Sequence, residues 1–170
     1  DFFRVKGIFV KNGSRITIDC KYRLPNNKSF QKDDKEIRKY ADYIGSLPVV
    51  MITPADIQLI EEGSEERRRF LDVSLCQVDP FYTESLTKYN KFLKHRNSLL
   101  KSMNQQQSSE NNLLDIYDQE MARLSVIITE YRQRFVSEIT GLYENLYSEL
   151  SGGVEKVTMM YRPDTSGTQE

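Results

Sequence analysis

The chain has 170 residues, 29% of them charged, with a mean hydropathy of −0.60 and a formal net charge of −1. No apolar run approaches the roughly 18 residues a membrane helix needs, so a membrane partner is excluded and a soluble, cytoplasmic protein with a modest core is expected. Two cysteines, Cys20 and Cys76, are too few and too widely separated for a disulfide framework or a zinc ligand set, and read as buried small apolar groups.

The near-zero net charge hides a strong pattern. Residues 1–40 carry eleven Lys/Arg against five Asp/Glu and residues 80–103 five against one, whereas residues 104–150 carry three against eight. A polyanion would meet the first two segments, not the third.

In chain order, Phe3, Val5, Gly7 and Phe9 alternate with Arg4, Lys6 and Ile8. After Asn12-Gly13 the alternation resumes with Ile16, Ile18, Cys20 and Tyr22 against Arg15, Thr17, Asp19, Lys21 and Arg23. Asn-Gly between alternating runs is a strong hairpin signal, with one apolar and one basic face. A turn at Pro25 to Lys28 leads to a weaker strand pair around Ser29 to Ile37, bent at Asp33-Asp34, then a short helix near Tyr40 to Ile44. Val49 to Ile52 is short, apolar and β-branched, as expected of a strand buried on both faces.

Thr53-Pro54-Ala55-Asp56 reads as a helix start, with Thr as N-cap, Pro at the first helical position and an acid completing a capping box. Gly63 stops that helix, Ser64 is expected to cap the next, and Glu65 and Glu66 favour its N-terminal dipole. Asp79-Pro80 repeats the cap-plus-proline signal and opens a basic helix. Its heptad seam runs through Tyr82, Leu86, Tyr89, Leu93, Arg96, Leu100 and Met103. Beyond a Gln/Ser/Asn-rich interruption at Ser102 to Asn112, a second seam takes Leu114, Tyr117, Met121, Leu124, Ile128, Tyr131 and Phe135. It then slips by one step of four to Ile139, Leu142 and Leu146, a stutter that should relax the supercoil. The two helices, 80–103 and 113–150, would form an antiparallel hairpin. Gly152-Gly153 ends the second, and Val157, Met159 and Tyr161 alternate as a last strand returning to the sheet. The fold class expected is α+β: an antiparallel sheet from 1–52 and 154–162, a helical lobe over 53–153, and a flexible tail at 163–170.

Three blocks carry a family resemblance: the strand, Pro-x-Asp and apolar sequence of Val49 to Leu59; Arg67-Arg68-Arg69-Phe70-Leu71-Asp72; and Tyr89…Leu93…Arg96-Asn97…Leu99-Leu100-Lys101. In this order and spacing they resemble the middle region of the RecF family of bacterial DNA replication and repair proteins, with weaker similarity from Arg4 to about Tyr161. One local departure is Glu62-Gly63-Ser64, where the family usually has Gly followed two residues later by Pro. RecF proteins resemble ATPase heads of the SMC and Rad50 type, yet the phosphate loop, helical signature and acidic metal strand of such heads are missing from this sequence. No glycine is followed by Lys-Ser or Lys-Thr. With Asp as first residue, the chain reads as a middle piece. The resemblance implies a parent protein that binds ATP and magnesium, dimerises on ATP, contacts single-stranded and gapped DNA, and helps load recombinase with RecO and RecR partners. The piece itself is expected to hold no cofactor and to catalyse nothing, since it has one histidine, no metal-ligand cluster and no nucleophile motif.

The candidate DNA contacts are Arg67, Arg68, Lys88, Lys91, Lys94 and Lys101. Successive helical positions point about 100° apart, so Arg67, Arg68 and Arg69 cannot all touch one ligand, and salt bridges to Glu61, Glu62, Glu65 or Asp72 are an equal reading. Lys88, Lys91 and His95 step along one side of their helix and Lys94 and Lys101 along an adjacent one. This makes a basic ridge suited to phosphates or, alternatively, to pairing with the acidic second helix. Arg96 falls on the seam, so Arg96 and Asn97 are expected to form a buried polar node with a carboxylate or carbonyl partner near the hairpin base.

Overall fold

The structure, a computed structural model, describes residues 2–25, 27–37, 39, 43–106 and 111–163. It is α+β, and divides into two compact units, Asp1–Ser46 and Leu47–Glu170.

The first unit is an antiparallel sheet of four strands in sequential order: β1 (Phe2–Lys11), β2 (Ser14–Arg23), β3 (Asn27–Lys32) and β4 (Lys35–Glu36). The Asn12-Gly13 turn joins Lys11 to Ser14 with φ of 51° and 77°, the left-handed pair that a two-residue hairpin requires to match the strand twist. Alanine at Gly13 would hold a Cβ in that left-handed conformation. Gly13→Ala is therefore expected to cost the sheet unit about 1 kcal/mol in a denaturant titration. Register places Phe3 opposite Tyr22, Val5 opposite Cys20 and Phe9 opposite Ile16, so the alternation read in the sequence becomes one apolar face, with Phe3 stacked on Tyr22 at 5.3 Å. The ring of Phe9 lies over Gly7, where a Cβ would come within 2.6 Å of it. On the opposite face Asp19, buried between the strands, accepts two hydrogen bonds from Arg4 Nε, at 3.0 and 3.1 Å. Those bonds hold its carboxyl below the usual carboxylate range. A second left-handed pair, Asp33-Asp34, turns β3 into β4, and Asp33 closes on β2 through reciprocal 2.8 Å bonds with the Thr17 backbone. The helix expected near Tyr40 to Ile44 falls largely on 40–42, outside the described residues; Tyr43 to Gly45 form a turn.

The second unit is helical. A 3-10 turn at Pro54–Ile57 leads into α1 (Gln58–Glu61), followed by α2 (Ser64–Val78), α3 (Pro80–Gln106) and α4 (Asn111–Ser151). The proline start holds, with the Asp56 carboxylate accepting the Thr53 backbone N–H. Gly63, not Ser64, occupies the N-cap of α2. Ser64 is the first helical residue and its hydroxyl accepts a bond from Arg68 at 2.7 Å. Asp79 does cap α3, its Oδ1 accepting the backbone N–H groups of Phe81 at 2.8 Å and Tyr82 at 3.3 Å. Leu75, Tyr82 and Ile128 form the core, one from each of the three long helices, with Tyr82 fully buried.

Three expectations for this part of the chain are corrected. Val49 to Ile52 is neither a strand nor buried: its residues are 70–87% exposed, because no partner strand lies beside it among the described residues. Its ordering contact is a 2.7 Å bond from the Val49 N–H to Gln77. Val157 to Tyr161 is not a strand either. The segment belongs to the helical unit, where the Tyr161 hydroxyl accepts a bond from Arg132 at 3.3 Å and the Met159 carbonyl one from Thr140 at 3.4 Å. Finally, the seam of α4 does not stay covered: Leu142 and Leu146 are exposed. The start of α3 lies beside Tyr131, so α4 outruns its partner and its last turns have no α3 surface to meet. The tail at 164–170 lies outside the described residues.

Candidate nucleic-acid interface

The hairpin of α3 and α4 is antiparallel, since Tyr82 meets Tyr131 at 5.4 Å near its base and Phe92 meets Tyr117 at 6.0 Å further out. Near the base α3 packs on both α2 and α4. Further out the contact with α4 runs through Phe92 and His95, with Leu99 buried, while Leu93 turns to a cleft beside α2. A seam drawn for one partner helix therefore mislocates the distal contacts. His95, placed on the basic ridge by its spacing, is exposed and sits edge-on to Tyr117 at 6.0 Å.

The other ridge residues are exposed. Lys88 pairs with Glu84 of its own helix at 2.6 Å. Lys91, Lys94 and Lys101 stand on the surface of α3 with no ion-pair partner among the described residues. Among the described residues the acidic helix beside them takes only Arg96 from α3, whose Nε lies 2.5 Å from Asp118. Arg96 therefore has a carboxylate partner, but in the distal half of the hairpin and not at its base, with 31% of its side chain exposed; Asn97 is exposed. The hydrogen bond and charge of Asp118 raise the pKa of Arg96.

Arg67, Arg68 and Arg69 diverge, as their spacing requires. Arg67 donates to the carbonyls of Glu62 at 2.8 Å and Leu59 at 3.4 Å, closing the C-terminal end of α1. Arg68 reaches Ser64, and Arg69 pairs with Glu66 at 3.5 Å. Arg67 and Arg68 line a cleft between α2, α3, α4 and 159–163, whereas the four lysines lie outside that lining. The six candidate contacts thus fall into two groups and not one surface.

The polar node of the fold lies elsewhere. Arg132 of α4 grips the Asp72 carboxylate with three bonds of 2.8–2.9 Å, and also reaches the hydroxyls of Tyr82 at 3.2 Å and Tyr161 at 3.3 Å. Tyr82 donates its hydroxyl to Asp72 at 2.5 Å. Burial opposes the charge of Arg132, but its hydrogen bonds to Tyr161 and Asp72 prevail and raise its pKa; burial raises that of Tyr82. One node therefore ties all three long helices to 157–163. The sequence held little signal for it: Arg132 is one of two arginines, with Arg134, between Ile128 and Val136, and no periodicity ties it to Asp72.

A second tie joins the α3 cap to α4, with the Tyr131 hydroxyl donating to Asp79 at 2.9 Å. Burial alone would raise the Asp79 pKa; the bonds from Tyr131 and the backbone N–H groups of Phe81 and Tyr82 outweigh it and the pKa is lowered. A carboxylate with a depressed folded-state pKa stabilises fully above its unfolded value near 3.9 and loses that contribution as pH falls through the folded value. The helical unit is therefore expected to lose stability below about pH 4, and Asp79→Asn should flatten that acid limb in pH-dependent urea titrations.

No helix among the described residues is long and apolar enough to cross a membrane, and no group of His, Cys, Asp and Glu among them could hold a metal ion. No protein-family model matches the chain. Individual proteins do. The DNA replication and repair protein RecF of Bacteroides thetaiotaomicron is 38% identical over 162 residues, covering 95% of this chain and 43% of its own length. That of Porphyromonas gingivalis W83 is 37% identical over 152 residues, 89% and 41% of the two lengths. Among solved structures, the recombination mediator protein RecF with ATP, from the RecFOR pathway, superposes with a TM-score of 0.81 at 27% identity, over 89% of this chain and 40% of that one. The same mediator protein with ATPrS gives 0.79 at 28% identity. The chain thus spans about two fifths of the relatives and structures it matches.

Proposed function

We propose that this chain, which belongs to the RecF family along the stretch it represents, is the DNA-contacting and partner-docking middle region of a DNA replication and repair protein. The whole protein would bind single-stranded and gapped DNA, dimerise on ATP with magnesium, and help load recombinase at gaps with RecO- and RecR-type mediators. The ATP chemistry would come from segments outside these residues; this stretch would bind and not catalyse. The observation that carries the reading is the row Lys91, Lys94 and Lys101 on α3, exposed and without an ion-pair partner among the described residues although an acidic helix lies alongside. Internal pairing does not account for these charges, and a phosphate backbone would.

If Lys88, Lys91, Lys94 and Lys101 each neutralise a phosphate, log K for DNA should fall against log salt by roughly 0.7–0.9 per contact, about 3 in all. Reversing the four to Glu in the full-length protein should abolish binding and leave the melting curve in place, since all four are exposed. An unchanged affinity and salt slope would overturn the assignment and favour the runner-up, a helical arm that docks mediator proteins without touching DNA.

A further inference from the structure

The cleft between α2, α3, α4 and 159–163 is separate from the lysine ridge, and its chemistry differs. Its volume is about 1380 Å³, above the roughly 300–1,000 Å³ of small-molecule sites, so it suits a segment of a macromolecule. Its walls are apolar: Ile60, Phe70, Val73 and Met160 line it, and all four are exposed at its surface. Three guanidiniums in that lining have only neutral partners among the described residues. Arg67 is held by backbone carbonyls, Arg68 by the Ser64 hydroxyl and Arg162 by the Met160 sulfur at 3.5 Å. Their positive charge is satisfied in geometry but uncompensated. By contrast Arg69 has Glu66 and Arg132 has Asp72, and the lining offers one further carboxylate, Glu65.

We infer that this cleft is a docking site for an acidic peptide segment carrying bulky apolar side chains, supplied by a protein partner. Carboxylates of the segment would pair with Arg67, Arg68 and Arg162, and its apolar side chains would displace water from Phe70, Val73 and Ile60. Burial of such anchors supplies affinity, while complementary charge supplies specificity and register. A phosphate backbone fits less well, because its charged oxygens would lose water against the four apolar side chains on the walls. The inference does not rest on the lysine ridge, and either assignment can fail alone.

The test uses the full-length protein and three fluorescein-labelled probes: a peptide alternating Asp with Leu and Phe, the same peptide with Lys for Asp, and an oligothymidylate. Anisotropy should show binding of the acidic peptide and not of the basic one. Arg68→Glu and Val73→Asp should each weaken it at least about tenfold. Neither side chain is part of the buried core, and Val73→Asp leaves every arginine contact in place, so the two together guard against simple misfolding. Reversal of the four ridge lysines should leave the peptide affinity unchanged. Equal binding of acidic and basic peptides, or no peptide binding by the full-length protein, would overturn the inference. Loss of oligothymidylate binding in Arg68→Glu and Val73→Asp, with peptide binding intact, would overturn it in favour of a nucleic-acid cleft.

Discussion

Arg132→Ala is expected to destabilise the helical unit by about 3 kcal/mol, the low end of the range for breaking a buried ion pair, and to lower its melting temperature by roughly 10 °C. Removing the guanidinium strands a charge. Asp72 accepts three of its hydrogen bonds from Arg132, and with that side chain gone a carboxylate only 21% exposed would keep Tyr82 as its one remaining hydrogen-bond partner among the described residues. The residual exposure of the pair, 12% and 21%, admits some water and keeps the estimate at the low end. Asp72→Ala should cost a similar amount, because Arg132 would then be left among Tyr82 and Tyr161 hydroxyls. The double replacement Arg132→Met with Asp72→Leu should recover most of the loss, since neither residual charge remains to be buried. Thermal melts of the single and double variants decide it. If each single change costs under about 1 kcal/mol, the node is solvated and does not tie the helices.

The Asp72–Arg132 pair also shows what was legible in the sequence. Local signals transferred well: Asn12-Gly13 gave the hairpin and its register, Asp33-Asp34 the second turn, Asp79-Pro80 the start of α3, and the apolar periods the two long helices. In each case the deciding interactions lie within a few residues. Asp72 and Arg132 are 60 residues apart, and no periodicity links them. The densest motif, Arg67 to Asp72, drew attention to its arginines, while its aspartate anchors the packing. A heptad seam describes one partner per helix, whereas α3 has two neighbours at its base, and Arg96, which reads as a buried node, is instead a partly exposed pair with Asp118. Val49 to Ile52 failed for another reason: an apolar run states a preference for burial, but a strand needs a partner to hydrogen-bond with, and none lies beside it among the described residues.

Tyr82 separates packing from polarity within the same node. Its ring is wholly buried against Leu75 and Ile128, and its hydroxyl lies between Asp72 and Arg132. Tyr82→Ala should leave a cavity at the junction of α2, α3 and α4 and cost about 3–5 kcal/mol, as for other large aromatic truncations. Tyr82→Phe keeps the ring and removes one donor to a carboxylate that retains its Arg132 bonds, so it should cost only about 1 kcal/mol. The pair of variants distinguishes two pictures of the base of the hairpin. If packing dominates, the alanine variant unfolds at much lower urea and the phenylalanine variant stays near the native midpoint. If the hydroxyl organises the node, Tyr82→Phe approaches the alanine variant. Combining it with Asp72→Ala should then add little, because the bond between them is lost already, with a coupling of about 0.5–3 kcal/mol in a double-mutant cycle. With three Arg132 bonds on Asp72 against one from Tyr82, the expected result is the first: a small cost for phenylalanine, a large one for alanine.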